Sequence, residues 1–343
     1  MIKVLIVDDS AIVRKILSDA ISSESDMEVV GTAPDPFVAR DKILALHPDV
    51  LTLDIEMPRM DGLTFLKKLM RHHPMPVIVI SSLGQASCQA ALDALRFGAV
   101  EVLAKPGGPY SVGELRTNLA AKIRAAAVAR VRNADPPAEP RVMTGHALPG
   151  KSLSAGTVIA IGASTGGTEA IQEVLMGLPA STPGIVITQH IPPVFSRAFA
   201  DRLNQMCAME VKEASDGDVV TVGRVLVAPG NFHMVLRGSA DHYRVQVKDG
   251  PQVCYQRPSV DVMFSSVAEA VGPKAIGVLL TGMGSDGAQG LLRMKRAGAH
   301  TIAQDEASCV VFGMPREAIR LGAADRVVPL SRVAFAINSE AGN

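Results

Sequence analysis

The chain of 343 residues contains no tryptophan, three tyrosines and nine phenylalanines, so it offers few rings on which unpaired bases could stack. An excess of either charge is also missing. Lys+Arg and Asp+Glu number 34 each, and a cut at Pro149 and Gly150 leaves 17 of each sign on either side. Without a basic surplus, little affinity can come from releasing counterions, which argues against a nucleic-acid partner. The four cysteines, Cys88, Cys207, Cys254 and Cys309, form no CxxC pair, so neither a structural zinc site nor a dithiol redox motif is indicated. No apolar run approaches the roughly 18 residues that span a bilayer, and the opening MIKVLIVDDS reaches two carboxylates too early for a secretory leader. A cytoplasmic, monomeric protein without membrane insertion is expected.

What is present is enough apolar sequence, 48% of residues, for two cores, and the length suits about two domains. From residue 2 onward, short apolar runs alternate with helix-like spacing. The runs are IKVLIV (2–7), EVVGTA (28–33), VLTLDI (50–55), PVIVIS (76–81) and EVLAKP (101–106). Leu63, Leu66 and Met70, then Leu115, Leu119 and Ile123, mark helical faces between and after them. Five β-α units in succession predict a parallel sheet covered on both faces. Residues 132–150 carry Pro136, Pro137, Pro140 and Pro149 with no period and read as a linker.

Strand-like runs resume at 157–164, 184–190, 224–229, 233–237, 243–248, 275–282 and 300–305, with helical patterns at 195–206, 262–271 and 288–297. DHYRVQVKDG alternates at period two, as a hairpin arm does. A second doubly wound α/β domain, mostly parallel with an antiparallel extension, is expected. The boundaries are 1–125, a linker at 126–152, and 153–343.

In open parallel sheets, ligands gather at the carboxyl ends of the strands. In the first domain those ends carry Asp8, Asp9, Asp54, Ser81 and Lys105. Three clustered carboxylates repel unless a hard divalent cation lies among them, and Mg²⁺ takes carboxylate oxygens together with a phosphate. Singly, each residue would read as a helix cap or a solvated loop end. VDDS, LDIEMPRMDG and AKP, in this order, resemble the bacterial response-regulator receiver family over residues 1 to about 125. The resemblance implies that Asp54 accepts a phosphoryl group from a histidine kinase. It also implies that Asp9, Asp54 and the backbone carbonyl of Glu56 bind Mg²⁺ with Asp8 assisting, and that Ser81 and Lys105 sense the phosphoryl group. One departure is Val102, where many receivers carry a switch aromatic.

In the second domain IGASTGGTEA follows an apolar run. As GxGxxG it fails at Ser164; as GxSxG it matches from Gly162 to Gly166, which places Ser164 on a strand-to-helix turn. Ser164 or Thr165 could equally be a helix cap. A serine nucleophile needs a base. Among His190, His233, His242 and His300, only His190 ends a strand run and so lies on the same sheet edge as Ser164. An acid to orient it would come from another strand end, where Asp286 in TGMGSDG leads Asp305 and Asp261. The order Ser, His, Asp differs from that of α/β-hydrolases.

IGASTGG, ITQHIP, APGNFHM, RPSVDVMF, LLTGMGSDGA and AQDEASCVVFGMP resemble the chemotaxis protein-glutamate methylesterases, the CheB family, over 155 to about 338. That resemblance implies Ser164 as nucleophile, His190 as base and Asp286 as orienting acid, with no cofactor for the esterase. The backbone N–H groups of Thr165 and Met283 are expected to form the oxyanion hole. The implied substrates are glutamyl γ-methyl esters and glutamines of methyl-accepting chemotaxis receptors, and the receiver is expected to restrain the esterase until Asp54 is phosphorylated. Two other classes compete: a regulator with a DNA-binding second domain, and a non-catalytic regulator in which Ser, His and Asp are structural.

Overall fold

The strands of the first half form where β-branched residues run together, and every side chain of the central ones is buried. In the computed structural model, residues 1–82, 84–105, 112–131, 156–239 and 242–341 are described. The chain divides into two units, Met1–Pro140 and Arg141–Asn343. The proline-rich segment 132–150 read as a linker lies outside the described residues.

In the first unit, β1 (Ile2–Val7), β2 (Met27–Ala33), β3 (Val50–Asp54), β4 (Val77–Ser81) and β5 (Glu101–Ala104) form a parallel sheet of order β2-β1-β3-β4-β5. Helices α1 (Ala11–Ser22), α2 (Pro36–Leu46), α3 (Gly62–His72), α4 (Gln85–Arg96) and α5 (Val112–Ala127) alternate with the strands. Their starts follow local chemistry: Ser10, Asp35 and Asp61 each accept a backbone N–H from the first turn of α1, α2 and α3. The cap of α1 is therefore Ser10, which leaves Asp8 and Asp9 for another purpose.

The second unit contains β6 (Val158–Ala163), α6 (Gly167–Met176), β7 (Gly184–Gln189), α7 (Phe195–Met206), β8 (Glu210–Glu213), β9 (Arg224–Val227), β10 (His233–Ser239) and β11 (His242–Lys248). It continues with α8 (Val260–Ala270), β12 (Ala275–Leu279), α9 (Ala288–Arg296), β13 (His300–Gln304), α10 (Met314–Arg320), β14 (Arg326–Val328) and α11 (Leu330–Ala341). Seven strands make a parallel sheet of order β14-β13-β12-β6-β7-β9-β8. The chain leaves central β6 toward β7 and later returns to its other side as β12, so the switch point lies at the carboxyl ends of these three strands.

Two edge strands, β8 and β14, carry no sequence signal, because EVKE and RVV are short and only partly buried. The expected antiparallel extension is instead a separate sheet. β10 and β11 pair from His233↔Lys248 to Ser239↔His242, and β11 meets the 217–220 segment between β8 and β9 through the Val219–Arg244 bridge and backbone hydrogen bonds such as Val220 N–H to the Tyr243 carbonyl. Met234, Leu236, Tyr243 and Val245 turn one face of this hairpin into the core that holds Phe264 and Val267 of α8. Among the described residues no helix is long and apolar enough to cross a membrane.

Candidate functional site

β6 and β7 run in parallel register up to Ala163↔Gln189, so Ser164 and His190 are the next residues on adjacent strands, which lie about 4.8 Å apart. The His190 N–H donates to the Ala163 carbonyl at 3.1 Å, and Gln189 Nε2 donates to the Ser164 carbonyl at 2.8 Å. The turn at Ser164 is not capped by a side chain. Gly166 takes that position with φ 75°, and a β-carbon there would lie 2.6 Å from Val310. β12 closes the other flank: Ser164 N–H donates to the Thr281 carbonyl, and a β-carbon on Gly282 would lie 2.7 Å from that of Ser164. The Thr281 hydroxyl binds the Thr165 and Val311 carbonyls and accepts the Val311 N–H, tying the turn to the 309–311 segment.

Ser164, His190 and Asp286 are all buried, at 4%, 5% and 2% exposure. His190 Nε2 lies 2.8 Å from Asp286 Oδ2, while its buried Nδ1 has no hydrogen-bond partner. A carboxylate only accepts, so the proton sits on Nε2 and Nδ1 keeps a lone pair. That nitrogen can take a proton from a hydroxyl beside it.

Asp286 does not cap its own helix, α9, which begins after Gly287. It caps α8: Oδ2 accepts the Val260 N–H at 2.7 Å, and Oδ1 accepts the Asp261 N–H at 3.0 Å and the Ser259 hydroxyl at 2.8 Å. Burial alone would raise its pKa, but the hydrogen bond and charge of His190 and these backbone donors hold it below the usual carboxylate value. Asp261 returns the arrangement by accepting the Gly290 N–H of α9 at 2.6 Å. Burial and the nearby Asp286 charge push Asp261 up.

The competing residues have other partners. Asp305 accepts the N–H and hydroxyl of Ser308 in a local turn. His300 faces Glu340 at 3.3 Å, His242 is exposed at the hairpin, and both ring nitrogens of His233 are engaged. Of the expected oxyanion donors, Thr165 follows Ser164 before α6. The N–H of Met283, beside Gly282, meets no acceptor among the described residues. Ser259 and Thr281 are not among the site residues expected from sequence, and His233 enters there only as a rival base; Ser259 lies within RPSVDVMF, as a serine before a helical pattern, and Thr281 within LLTGMGSDGA.

In the first unit, Asp8, Asp9 and Asp54 bring carboxylate oxygens within 4.8 Å of one another. Lys105 Nζ is 2.6 Å from Asp54 Oδ2 and 3.6 Å from Asp8 Oδ2. Burial raises the pKa of Asp8 and of Asp54 despite this cation. Burial would lower Lys105, but its hydrogen bond and attraction to Asp54 and the other carboxylates raise it. Buried Asp8 Oδ2 accepts no hydrogen bond, which together with three hard oxygen ligands fits a divalent cation. The Glu56 N–H donates to Asp54 Oδ1, while its carboxylate turns to the hydroxyls of Ser82 and Ser87, which lower its pKa. Ser81 does not meet Asp54: its hydroxyl lies 3.3 Å from the Ser87 carbonyl.

The chain matches the model of the CheB methylesterase family over residues 159–337 and that of the response regulator receiver domain over 4–117. The chain belongs to the CheB methylesterase family. A protein-glutamate methylesterase/protein-glutamine glutaminase of Syntrophus aciditrophicus is 57% identical over 97% of both chains. The protein of that name from Escherichia coli K12 is 54% identical, covering 97% of this chain and 95% of its own length. The CheB methylesterase catalytic domain of Thermotoga maritima superposes with a TM-score of 0.53 and 37% identity, covering 54% of this chain and 99% of that one. The first unit is thus a receiver and the second a CheB catalytic domain.

Proposed function

We propose that this CheB family member hydrolyses glutamyl γ-methyl esters, and deamidates glutamines, on methyl-accepting chemotaxis receptors through a serine acyl-enzyme. The observation that carries this reading is His190, with Nε2 fixed on Asp286 and a buried, unpaired Nδ1, on the residue that follows β7 just as Ser164 follows the neighbouring β6.

Ser164 Oγ attacks the ester carbonyl as His190 Nδ1 takes its proton. The carbonyl oxygen gains the negative charge, which the N–H groups of Thr165 and Met283 stabilise; one such donor contributes roughly 3 kcal/mol. The tetrahedral intermediate collapses, the proton passes from His190 to the departing methoxide, and methanol leaves. Water then gives a proton to His190 and adds to the acyl-serine; the proton returns to Ser164 Oγ, leaving a free glutamate. With glutamine the leaving group is ammonia, and the same acyl intermediate follows.

Regulation belongs to the first unit. Asp54 accepts a phosphoryl group from a chemotaxis histidine kinase, and Lys105 and Ser81 bind that group. Ser81 must first leave the Ser87 carbonyl. Asp8, Asp9, Asp54 and the Glu56 carbonyl would hold Mg²⁺, whose charge offsets that of the phosphoryl oxygens. A cytoplasmic monomer acting on the cytoplasmic helices of receptors fits these roles, with the receiver restraining the esterase until phosphorylation.

The test is methanol release from methylated receptor membranes with and without a small-molecule phosphodonor. Ser164→Ala should release none, and Asp54→Asn should keep basal activity but lose the response to phosphodonor. Methanol release by Ser164→Ala would overturn the nucleophile, and a retained response in Asp54→Asn would overturn the switch.

A further inference from the structure

Asp286 can orient His190 only if its own carboxylate plane is fixed, and the protein supplies four donors for that purpose. On Oδ2 they are His190 and the Val260 N–H; on Oδ1 they are the Asp261 N–H and the hydroxyl of Ser259. Rotation of the carboxylate about its bond to the β-carbon is opposed by the Val260 N–H on Oδ2 and by the Oδ1 pair, while His190 itself rides on Oδ2. Ser259 is the one side chain in that pair among the described residues.

Ser259 is itself held on two sides. Its oxygen accepts the Val262 N–H at 3.4 Å, which leaves its single proton for Asp286. Its backbone N–H donates to His233 Nδ1 at 3.2 Å, and His233 Nε2 lies 2.9 Å from the Pro251 carbonyl. A carbonyl only accepts and the Ser259 N–H only donates. His233 is therefore neutral with its proton on Nε2, and at 3% exposure its ring is enclosed. From His233 through Ser259 and Asp286 to His190 the chain runs through buried groups, and its outer end is the carbonyl of exposed Pro251. It joins the start of β10 and the N-terminus of α8 to the base that serves Ser164.

We propose that Ser259, anchored by His233, is a positioning residue for the esterase reaction: it fixes the Asp286 carboxylate in the plane that aims His190 Nδ1 at Ser164. This rests on the reading of Ser164, His190 and Asp286 as the hydrolytic group. Ser259 touches no substrate, so its loss acts on turnover and not on binding. It also shares the negative charge of Asp286. Without it the carboxylate favours the charged imidazolium more strongly, and the acid limb of the rate profile moves to higher pH.

The experiment uses the full chain with phosphodonor and methylated receptor membranes, measuring methanol release, its pH profile, and the downfield proton signal of His190 Nε2–H by nuclear magnetic resonance. A hydrogen bond to a charged group translates into a loss of about 10- to 100-fold in kcat for Ser259→Ala, with KM little changed. The acid limb moves up and the downfield proton shifts. Ser259→Thr keeps the hydroxyl and should restore the wild-type profile. His233→Phe, which removes the acceptor behind Ser259, should move the same proton and lower kcat. If Ser259→Ala does not fold, Ser259→Gly gives the same reading, since glycine is tolerated at an N-cap. A folded hydroxyl-free variant with wild-type kcat overturns the proposal, and so does a loss of kcat with an unmoved acid limb and proton. A wild-type chain that releases no methanol defeats the esterase reading instead, and the proton signal still reports on Ser259.

Discussion

His190 presents Nε2, not Nδ1, to Asp286, with 2.8 Å between the nitrogen and Oδ2. The imidazole is thereby committed to one tautomer, and the nitrogen nearer its own backbone keeps an unpaired lone pair. Asp286 meets four donors and offers none in return, which only a carboxylate satisfies.

Asp286→Asn therefore places an amide donor against an N–H or a hydroxyl, or turns it on His190 and reverses the tautomer. The expected result is a fall in kcat of about 10³- to 10⁴-fold with a folded protein, by analogy with the same change in a serine-protease triad. Methanol release measured beside circular dichroism checks both parts.

The lowered pKa of Asp286 also has a sign in stability. A carboxylate whose folded pKa lies below its unfolded value of 3.8 contributes stability that is fully present above that value and is lost as pH falls through the folded pKa. Denaturant titrations of wild type and Asp286→Asn should show a stability gap that is constant from neutral pH down to the usual carboxylate range and narrows only below it. A gap that closes between pH 7 and 5 would contradict the assigned direction.

Thr281 carries a heavier structural duty than a buried hydroxyl usually does. Its Oγ1 contacts the carbonyls of Thr165 and Val311 and accepts the Val311 N–H, while its own carbonyl accepts from Ser164. Thr281→Val keeps the shape and strands the Val311 N–H, at a cost of about 1–3 kcal/mol. Thermal unfolding should show the loss, kcat should fall because the turn bearing Ser164 is no longer tied to the 309–311 segment, and Thr281→Ser should recover most of both.

Much of the site was legible because strand-ending polar residues stand out against apolar runs: Asp54, Ser164 and His190 each follow such a run. β8 and β14 were not, since edge strands of three or four partly polar residues have no periodicity to read. Asp286 stands out in TGMGSDG, but its cap-like position there points to α9, whereas its carboxylate accepts from the start of α8, 26 residues back at Val260. His233 stands in the sequence among the rival bases, and its contact with Ser259 spans 26 residues, which no local pattern encodes. Ser81 was placed on the correct strand end, but which way a hydroxyl turns there is decided by the backbone of α4.

The carboxylate cluster of the receiver gives the last prediction, because its electrostatics run opposite to those of Asp286. Asp8 and Asp54 have pKa values raised by burial, so the folded state holds their protons more tightly than the unfolded chain does. Their contribution favours folding below the unfolded value of 3.8 and is lost as pH rises through the raised folded values. A divalent cation compensates the charges that appear there, so Mg²⁺ should raise the melting temperature more at pH 8 than at pH 3.8, the unfolded value. Asp8→Asn keeps an oxygen for the Ser10 N–H, now accepted at 2.8 Å by Asp8 Oδ1, and removes the charge at Oδ2, which accepts no hydrogen bond. The metal-free variant should be more stable than wild type, because one of three clustered carboxylate charges is gone, and it should lose most of the response to Mg²⁺. Scanning calorimetry with and without Mg²⁺ at the two pH values decides it. An equal Mg²⁺ shift at both, or an Asp8→Asn protein less stable than metal-free wild type, would show that Lys105 already balances the cluster.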